Sequence, residues 1–469
     1  MKQLNADYLV IGTGAVGMTF VDVMLDLSDA RFIMVDRHHL PGGHWNDAYP
    51  FVRLHQPSAF YGAVSADLGS NRIDETGSNK GFYELASGAE VSTYFEKLMR
   101  ERFLPSGRVE YYPMCNYVGG GEFHSLLSDE RYAVNINKKT VDGTFFNTSV
   151  PSTHTRKFEV TDEITCIPPN RLPRLAADFD HFTVLGGGKT ATDTCVWLLD
   201  NGADPDSITW ICPRDSWFIN RESTQPGIQF FEKAAGGFAN NVEALAAATS
   251  VEDLFERMEK AETMLRVDPT IMPKMFHYAT ISTGEITQLR QIDKIVRGQR
   301  VARIEADAMI MKESGETVAN RPNTLFIDCT ARAVEFDAGI TRKVFEDDLI
   351  TLQPVFAPLV TYSAAVIAYV EVNFESEKEK NELCEPVPLA DTPAEWIPST
   401  LGNMKNSFSW SQNKEFGRWI NSCRLNPNAA AIREGAGQSA DHRAIVGRIR
   451  QNSLPAIVNG QKLMSQQGS

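Results

Sequence analysis

A glycine-rich turn near the N-terminus constrains the fold of this chain more than any other feature of its sequence. Residues 8–11 form an apolar run that leads into GTGAVG at positions 12–17. Apolar residues at helical spacing follow, and a second apolar run at 32–35 ends at Asp36. A strand, a glycine-rich turn, a helix and a second strand in this order predict a parallel α/β unit of the dinucleotide-binding type.

Each part of this unit has a mechanical role in holding a dinucleotide. Gly12 permits the tight turn, Gly14 lets the backbone approach a pyrophosphate, and Gly17 allows the helix to pack closely on the strand. The helix N-terminus faces the anion, and Asp36 stands where a carboxylate accepts hydrogen bonds from a ribose. The residues of this unit expected to bind the cofactor are Gly12, Gly14, Ala15, Val16, Gly17, Asp36 and Arg37.

A second unit of the same plan lies at residues 182–214. The apolar run 182–185 leads into GGGKTA at 186–191, where Ala191 replaces the third glycine, and apolar residues at helical spacing follow. A further apolar run at 208–212 predicts the next strand. The residues of this unit expected to bind a cofactor are Gly186, Gly188, Lys189, Thr190, Ala191 and Arg214.

The two units differ in the residues that follow their second strands. Asp36 follows the first, whereas Pro213 and Arg214 follow the second. An acid would repel a 2′-phosphate, whereas Arg214 can pair with it and Lys189 adds positive charge, so the sequence favours NADPH over NADH. The alternative is that Arg214 pairs with the neighbouring Asp215. We expect FAD in the first unit and NADPH in the second, with electrons passing from nicotinamide to flavin.

The segment GGHWNDAYPFVRLHQPSAFYG at 42–62 follows the first unit and has neither helical nor strand periodicity. It resembles flavin-containing monooxygenases, and especially Baeyer–Villiger monooxygenases, which carry GG-x-W soon after the FAD acid and then YP-x-x-R-x-D-x-PS-x-x-Y. The matching residues here are Gly42, Gly43, Trp45, Tyr49, Pro50, Arg53, Pro57, Ser58 and Tyr61. With the second unit, the resemblance covers about residues 5–215 and, more thinly, 290–335.

The resemblance implies that this segment wraps the flavin. The additional residues expected at the FAD site are Gly43, His44, Trp45, Arg53, His55, Gln56, Ser58, Cys115 and Thr330. Arg53 and His55 are the candidates for catalytic control of charge at the flavin ring. The implied activity is oxygenation of a small organic substrate by O₂ through a C4a-peroxyflavin, at the expense of NADPH.

Two departures from the family pattern keep other functions open. His55 stands where the family has an aspartate, and residues 164–182 lack the family's F-x-G-x-x-x-H-x-x-x-W/Y linker motif. The chain therefore resembles a divergent member. The alternatives are an NAD(P)H-dependent flavin reductase or dehydrogenase that serves an organic acceptor or partner protein, and a flavoprotein sensor or scaffold without turnover. A disulfide reductase is the weakest alternative, because the seven cysteines form no CxxC or CxxxxC pair.

Composition excludes several other classes. The formal net charge of −14 argues against a general nucleic-acid binder, and no apolar run approaches the ~18 residues of a membrane span. The sequence enters a predicted strand almost at once, so we expect no signal or transit peptide and a cytoplasmic protein. No metal site is expected. Oligomeric state is left open, with a homodimer as one option.

The predicted fold class is α/β, with two Rossmann-like dinucleotide-binding domains for FAD and NADPH, a helical insertion and an extra C-terminal region. Residues 1–165 are assigned to the FAD domain, 166–325 to the NAD(P)H domain with its insertion at about 223–290, and 326–469 to the return and the C-terminal region. Residues 269–285 are interpreted as a packed helix cap, with a pocket wall as the alternative. His38 and His39 are interpreted as a surface pair, and the tail from about Gln451 as loosely held.

Overall fold

A computed structural model of the chain describes residues 1–332, 334 and 342–467. Its strands are β1 (Lys2–Ile11), β2 (Phe32–Val35), β3 (Val109–Tyr112), β4 (Cys115–Gly119), β5 (Glu122–Ser125), β6 (Arg131–Asp142), β7 (Glu159–Val160), β8 (Cys166–Ile167), β9 (His181–Leu185), β10 (Ile208–Cys212), β11 (Ser216–Asn220), β12 (Met264–Leu265), β13 (Met275–Ile281), β14 (Ile295–Arg297), β15 (Val301–Ile304), β16 (Ala308–Met311), β17 (Thr317–Ala319), β18 (Thr324–Asp328) and β19 (Leu349–Thr351). Its helices are α1 (Ala15–Leu27), α2 (Gly88–Leu98), α3 (Leu172–Leu175), α4 (Lys189–Asp200), α5 (Phe231–Ala247), α6 (Val251–Lys260), α7 (Thr283–Leu289), α8 (Val360–Asn373), α9 (Glu377–Leu383), α10 (Trp396–Gln412), α11 (Lys414–Ser422), α12 (Ala429–Arg433) and α13 (Ala440–Gln467).

The first glycine-rich unit forms the centre of the first sheet. Strands β1 and β2 are parallel, and α1 connects them. All four residues of β2 are buried, as expected for a parallel strand covered on both faces. Among the described residues the strand order is β3-β2-β1-β6-β5-β4, with β19 beside β6. The predicted segments 8–11 and 32–35 are therefore confirmed as strands of a parallel α/β unit.

The second unit forms the centre of the second sheet. Its described strands lie in the order β14-β10-β9-β18-β8, and all neighbouring pairs are parallel. Helix α4 follows the second glycine-rich turn, as predicted. Strand β18 lies in this second sheet and ends at Asp328. The next strand, β19, pairs with β6 in the first sheet. The domain boundaries at 165/166 and 325/326 stay predictions.

The insertion begins with the predicted helices but continues differently. Helices α5 and α6 are followed by β12 and β13, which flank β11 in a separate small sheet. The interpretation of residues 269–285 as a helix cap is therefore wrong for β13, because residues 275–281 pair in parallel with β11, more than fifty positions earlier in the chain. This insertion is mixed α/β, not purely helical.

The C-terminal region contributes to the core of the first domain and covers the insertion. Helix α8 is buried almost throughout and packs on α1. Helix α13 packs on α5, where Ala456 and Leu463 are buried and Arg448 forms an ion pair with Glu243 at 2.6 Å. The expectation of a loosely held tail from Gln451 is therefore wrong. Within residues 1–332, 334 and 342–467, no helix has the length and apolar character needed to cross a membrane.

Candidate functional site

A single cavity of about 1280 Å³ receives both glycine-rich turns. Gly12 and Gly14 line it from the first sheet, and Gly186 and Gly188 line it from the second. Each turn follows the carboxyl end of the first strand of its unit, β1 or β9. This is the edge at which open α/β sheets bind their ligands.

The backbone of the first turn faces the cavity without intervening side chains. Gly43 has φ +58°, and a Cβ atom there would lie 2.9 Å from the Cα atom of Gly14. A Cβ atom at Gly17 would lie 2.2 Å from the carbonyl oxygen of Gly12, so Gly17 secures the close packing of α1 on β1. Side chains are thus excluded where Gly43 crosses Gly14. A cradle of this kind fits the diphosphate of a dinucleotide.

Asp36 is buried and held by donors on both oxygens. Its Oδ2 atom accepts hydrogen bonds from the Thr13 backbone N–H at 2.5 Å and the Thr13 hydroxyl at 2.8 Å. Its Oδ1 atom bonds to the His38 backbone N–H at 2.8 Å and contacts His38 Nδ1 at 3.0 Å. Burial opposes ionisation, but the donors from His38 and Thr13 outweigh it and hold the pKa of Asp36 below its usual range.

His38 bridges two carboxylates and is not a simple surface residue. Its Nε2 atom lies 2.8 Å from Oδ2 of Asp47, so the ring spans Asp36 and Asp47. The hydrogen bond to Asp36, helped by the one to Asp47, raises the pKa of His38 to about 9 against the opposing effect of partial burial. His38 is therefore protonated at neutral pH and places a positive charge in the cavity wall.

The second turn is also shaped by its glycines. Gly186 has φ +133°, and a Cβ atom there would lie 2.7 Å from the carbonyl oxygen of Cys329. A Cβ atom at Gly187 would lie 2.5 Å from the carbonyl oxygen of Arg214. At Gly188, by contrast, no heavy atom of the described residues lies within 4 Å of that position. The turn therefore packs on its neighbours at two glycines and stays open to a ligand at the third.

Lys189 brings positive charge to the second turn, as predicted, but carboxylates hold its ammonium group. Its ammonium group pairs with Asp193 and lies 3.2 Å from Oε1 of Glu285. Glu285 also binds the buried Arg221 at 2.6 Å, and the Tyr49 hydroxyl donates to Asp193 at 2.8 Å. Lys189, Asp193, Glu285 and Arg221 are called the ion network below. It links the second turn, the insertion and, through Tyr49, the segment after the first unit.

The charges of the ion network stabilise one another. Burial opposes ionisation of Glu285, but Lys189 and Arg221 lower its pKa to about 2. Burial likewise disfavours the ammonium form of Lys189, but Asp193 and Glu285 outweigh that effect and raise its pKa. Glu285 is therefore a carboxylate and Lys189 an ammonium ion at neutral pH.

Arg214 lies at the cavity, and its role in NADPH binding stays a prediction. It is exposed after β10 and lines the cavity together with Arg300 and Lys312. Asp215, the alternative partner, pairs instead with Arg297 at 3.2 Å. Within the described part of the chain, the Arg214 guanidinium has no ion pair. A group of cations at this position suits a phosphate ester.

The segment after the first unit lines the cavity with rings and polar groups. The Trp45 indole N–H donates to the Tyr61 hydroxyl at 2.8 Å. Arg53 is exposed, and one guanidinium N–H donates to the Leu85 carbonyl at 3.3 Å. Burial, reinforced by the charge of His38, lowers the pKa of His44 to about 4. The segment thus presents aromatic faces and one adaptable cation to the cavity.

His55 is a neutral imidazole of defined tautomer. The backbone N–H of Thr280 donates to its Nδ1 atom at 3.2 Å, which leaves the proton on Nε2. Burial and the charges of Lys189 and Arg221 lower the pKa of His55 to about 3. The Thr280 hydroxyl and Arg221 both donate to the His55 carbonyl. The insertion therefore fixes the residue that stands in place of the family aspartate.

Most of the predicted site residues line the cavity. They are Gly12, Gly14, Ala15, Val16, Asp36, Arg37, Gly43, His44, Trp45, Arg53, His55, Gln56, Cys115, Gly186, Gly188, Lys189, Thr190, Arg214 and Thr330. The remaining three are Gly17, Ser58 and Ala191, which pack behind it. Ser58 accepts a hydrogen bond from the Ala86 N–H at 2.8 Å and donates to the Glu84 carbonyl at 3.1 Å, which is a structural role. Cofactor contact by the cavity-lining residues stays a prediction.

Sequence reasoning missed several residues of this site. Asp193, Arg221 and Glu285 were not singled out as site residues, although the first lies in the helix that follows the second turn. Tyr278 lines the cavity, as the alternative interpretation of residues 269–285 as a pocket wall expects. A signal for Asp193 existed, because its i,i+4 spacing from Lys189 predicts a helical ion pair. Arg221 and Glu285 come from the insertion, and nothing local in the sequence marks them as partners of the turn.

The cavity is basic although the chain is acidic. Among the described residues, eight Lys and Arg side chains line it against three carboxylates, Asp36, Asp47 and Asp193. Those three carboxylates already bind His38 or Lys189. A cleft with this excess of cations attracts ligands that carry several phosphates. Over the same residues, no cluster of three or more His, Cys, Asp and Glu side chains is arranged to hold a metal ion.

The fold and the cleft define the chain, over its described residues, as a protein with two parallel α/β units whose glycine-rich turns face one cavity. It belongs to the same family as uncharacterized protein Rv2000 of Mycobacterium tuberculosis strain H37Rv. The two are 44% identical over 425 residues, which cover 91% of this chain and 78% of that protein. Uncharacterized protein Mb2023 of Mycobacterium bovis gives the same values. No family model matches the chain.

Solved structures resemble the chain at low sequence identity. The open crystal structure of cyclohexanone monooxygenase is 13% identical, with a TM-score of 0.47, covering 96% of this chain and 98% of that chain. Bacillithiol disulfide reductase Bdr from Staphylococcus aureus is 10% identical, with a TM-score of 0.47, covering 79% and 99%. A flavin-containing monooxygenase from Stenotrophomonas maltophilia is 13% identical, with a TM-score of 0.45, covering 79% and 97%.

Proposed function

We propose that this protein is an FAD-dependent, NADPH-consuming oxidoreductase, and specifically a monooxygenase of a small organic substrate. The observation that carries the proposal is that two glycine-rich turns, one from each parallel sheet, open on a single basic cavity. Two dinucleotides that share one cavity can bring their redox rings together, which is the arrangement that hydride transfer between them requires.

The first turn would hold FAD. The Gly14–Gly43 crossing suits the diphosphate, and α1 directs its N-terminus at it. Asp36, with protonated His38 beside it, would bind the ribose. Trp45 and the segment around Arg53 would cover the ring system.

The second turn would hold NADPH. Gly188 is open to a phosphate, and Arg214, Arg300 and Lys312 supply positive charge after β10. Lys189 is held by two carboxylates and would contribute by steering, not as an unpaired cation. The 2′-phosphate is the group that distinguishes NADPH from NADH, so discrimination would rest on Arg214 and its neighbours.

The chain's own residues prepare the cavity for redox chemistry. FAD, when bound, accepts a hydride equivalent from a nicotinamide and reacts with O₂. Trp45 and Tyr61 line the cavity, and the ion network joins the second turn to the segment after the first unit through the Tyr49–Asp193 hydrogen bond. His55 offers a neutral N–H donor on Nε2, because Thr280 occupies Nδ1.

A plain NAD(P)H-dependent flavin reductase is the second candidate, and His55 is the observation that favours it. A neutral imidazole fixed by Thr280 replaces a carboxylate that the resembling family carries beside its reactive arginine. Such a site would lack the negative charge of that carboxylate while keeping both nucleotides.

The first experiment follows flavin reduction and oxygen use in the purified, FAD-loaded protein. NADPH should bleach the flavin anaerobically far faster than NADH. With oxygen and no substrate, a monooxygenase should oxidise NADPH slowly, whereas a reductase with free access of O₂ should turn over steadily and release one H₂O₂ for each NADPH. Failure to retain FAD after reconstitution would refute both candidates.

An arginine variant tests the nucleotide assignment. Arg214→Ala should weaken NADPH binding by about tenfold, equivalent to one lost charge-assisted contact of ~1.4 kcal/mol, and leave NADH binding unchanged. Arg418→Ala, on the exposed face of α11, is the matched control and should change neither. Equal losses for NADPH and NADH would place Arg214 outside the 2′-phosphate site.

A further inference from the structure

A second cavity, named the strand-start cleft below, lies at the opposite end of the second sheet from the glycine-rich turn. It has a volume of about 390 Å³ and separates the first residues of β9, β10, β14 and β18 from a four-stranded sheet of order β17-β16-β15-β7. Strand β9 runs from His181 at this cleft to Leu185 at the cofactor cavity, which is a distance of about 13 Å at ~3.3 Å per residue. The two cavities share none of the described residues that line them.

The floor of the strand-start cleft is polar, although the rest of the same sheet face is apolar. Thr209 pairs with Thr183 in the parallel register of β10 and β9, and Ile211 pairs with Leu185 two residues further along. Side chains two residues apart on a strand share a face. Leu185 and Ile211 pack in an apolar cluster with the four-stranded sheet, whereas the two threonines line the cleft. Parallel strands covered on both faces are usually apolar throughout, so packing alone does not account for this pair of threonines.

The polar groups of this floor are open to a ligand. Among the residues that the structure describes, no hydrogen bond engages the hydroxyl of Thr183 or Thr209. His181 lies two residues before Thr183 on the same face, and its Nδ1 atom donates to the Asp180 carbonyl at 2.7 Å. Its Nε2 atom is thereby left for a ligand. Hydroxyls and an imidazole nitrogen side by side match the alternating donors and acceptors of a polyhydroxylated molecule.

Two cations stand side by side in the wall of the strand-start cleft. The Lys294 ammonium group donates to the Asp206 carbonyl at 3.1 Å, and the Arg321 guanidinium donates to the same carbonyl at 2.6 Å, so the two charged groups lie close together. Neither cation forms an ion pair with another described residue. Asp293 is the one carboxylate among the described lining residues, so positive charge is in excess. Two adjacent cations with unused N–H donors suit a phosphate monoester, which carries up to two negative charges.

The size and the remaining lining of the strand-start cleft limit its ligand to a small molecule. Met309, Val318 and Ala319 contribute apolar surface from the four-stranded sheet. The C–H groups of a sugar ring can pack on such surface while its hydroxyls bond to the floor. A volume of about 390 Å³ is near the lower end of the ~300–1000 Å³ typical of small-molecule sites. A monosaccharide therefore fits this cleft, and a dinucleotide does not.

We propose that the strand-start cleft is a second ligand site and that it binds a sugar phosphate of monosaccharide size. Lys294 and Arg321 bind the phosphate group, and Thr183, Thr209 and His181 bind the hydroxyls of the sugar. The site goes beyond the proposed oxidoreductase function and does not depend on it, because the cleft lies at the other end of the sheet from both proposed cofactors.

Three related probes test the chemical class. Glucose 6-phosphate carries both recognised groups, whereas glucose lacks the phosphate and inorganic phosphate lacks the hydroxyls. Calorimetric titration of the purified protein should show glucose 6-phosphate binding at least tenfold more tightly than either of the other two. No binding of glucose 6-phosphate at millimolar concentration, or equally tight binding of inorganic phosphate or of glucose, would overturn the proposed class.

A pair of arginine variants tests the location, because the basic cofactor cavity could also attract a phosphate. Arg321→Ala should weaken glucose 6-phosphate binding at least tenfold, since it removes a charge-assisted contact to the phosphate. Arg214→Ala is the matched control, because Arg214 lies in the cofactor cavity, and should change this binding by less than twofold. The reverse result, with binding lost in Arg214→Ala and kept in Arg321→Ala, would place the sugar phosphate in the cofactor cavity and overturn the proposal.

A threonine variant tests the floor and stays informative if Arg321→Ala does not fold. Thr209→Val keeps the volume of the side chain and removes a hydroxyl that has no partner among the described residues. It should weaken glucose 6-phosphate binding at least threefold, whereas Thr317→Val, on the exposed part of β17, should leave the binding unchanged. Equal binding by the two threonine variants would overturn recognition by the floor. Absent NADPH oxidation, with glucose 6-phosphate binding and its response to the variants intact, would refute only the proposed function.

Discussion

Neutralising Glu285 should open the junction between the second turn and the insertion. The substitution Glu285→Gln removes the charge but keeps an amide oxygen, which can still accept the Ser282 N–H in the capping box of α7. What changes is the ion network. Arg221 is 1% exposed and loses its carboxylate partner, and Lys189 keeps only Asp193.

Two estimates of the unfolding free energy lost in Glu285→Gln agree. Removing one partner of a buried ion pair costs about 3–5 kcal/mol, because the other charge stays buried without compensation. The pKa of Glu285, lowered from 4.5 to about 2, corresponds to about 3 kcal/mol of linked stability. Because the folded pKa is depressed, this contribution is present above pH ~4.5 and disappears as pH falls through about 2.

Hydrogen–deuterium exchange read by mass spectrometry measures the change locally. A loss of about 3 kcal/mol should speed exchange in α7 and in the segment around Tyr49 and His55 by about 100-fold at neutral pH. Glu382→Gln is the matched control, since its pair with Lys378 is exposed and 3.9 Å long, and should cost under ~0.5 kcal/mol. Equal exchange in the two variants would refute the reasoning.

Three further predictions concern the cavity. Below pH ~6.5, His38→Gln should lower the free energy of unfolding by about 1–2 kcal/mol, seen as a lower melting temperature. The difference should vanish as pH rises through about 9, because only protonated His38 stabilises the folded protein. His55→Gln should remove up to about 5 kcal/mol of acid destabilisation between pH ~6.5 and ~3, measured by urea unfolding. The unfolded chain protonates this histidine before the folded one, whose pKa is about 3. Gly43→Ala should destabilise the first turn by about 1–3 kcal/mol and lower the FAD content after purification. Gly107→Ala is the control, because Gly107 has a similar φ of +68° and no described heavy atom within 4 Å of its Cβ position. This control should show only the backbone cost and keep its flavin.

Sequence reasoning located the strands and helices that are specified by residues close together in the chain. The strands at 32–35 and 208–212 have the predicted bounds, because an apolar run and a glycine-rich turn are read within a few residues of each other. The cavity lining by the segment around Trp45 and Arg53 also followed from a contiguous pattern.

The elements that it missed depend on distant partners. Strand β13 forms because β11 accepts it as a neighbour, and such pairing leaves no local trace. Helix α13 contains Pro455 and a largely polar sequence, which suggests a loose tail until its packing on α5 is considered. Lys189 pairs with Asp193 and also with Glu285, which lies 96 positions away in the chain.

Under the proposed function, these long-range contacts predict that the two nucleotides differ in how tightly they are held. The first turn is closed by Gly43 from its own domain and supported by Asp36 and His38, so its shape does not depend on the insertion. The second turn, by contrast, depends on Glu285 of the insertion for the position of Lys189. A nucleotide phosphate that approaches this turn would compete with two carboxylates for the same ammonium group, and that competition weakens its binding. We therefore expect the proposed FAD to be retained at the first turn and the proposed NADPH to exchange at the second, because different side chains reach each cradle.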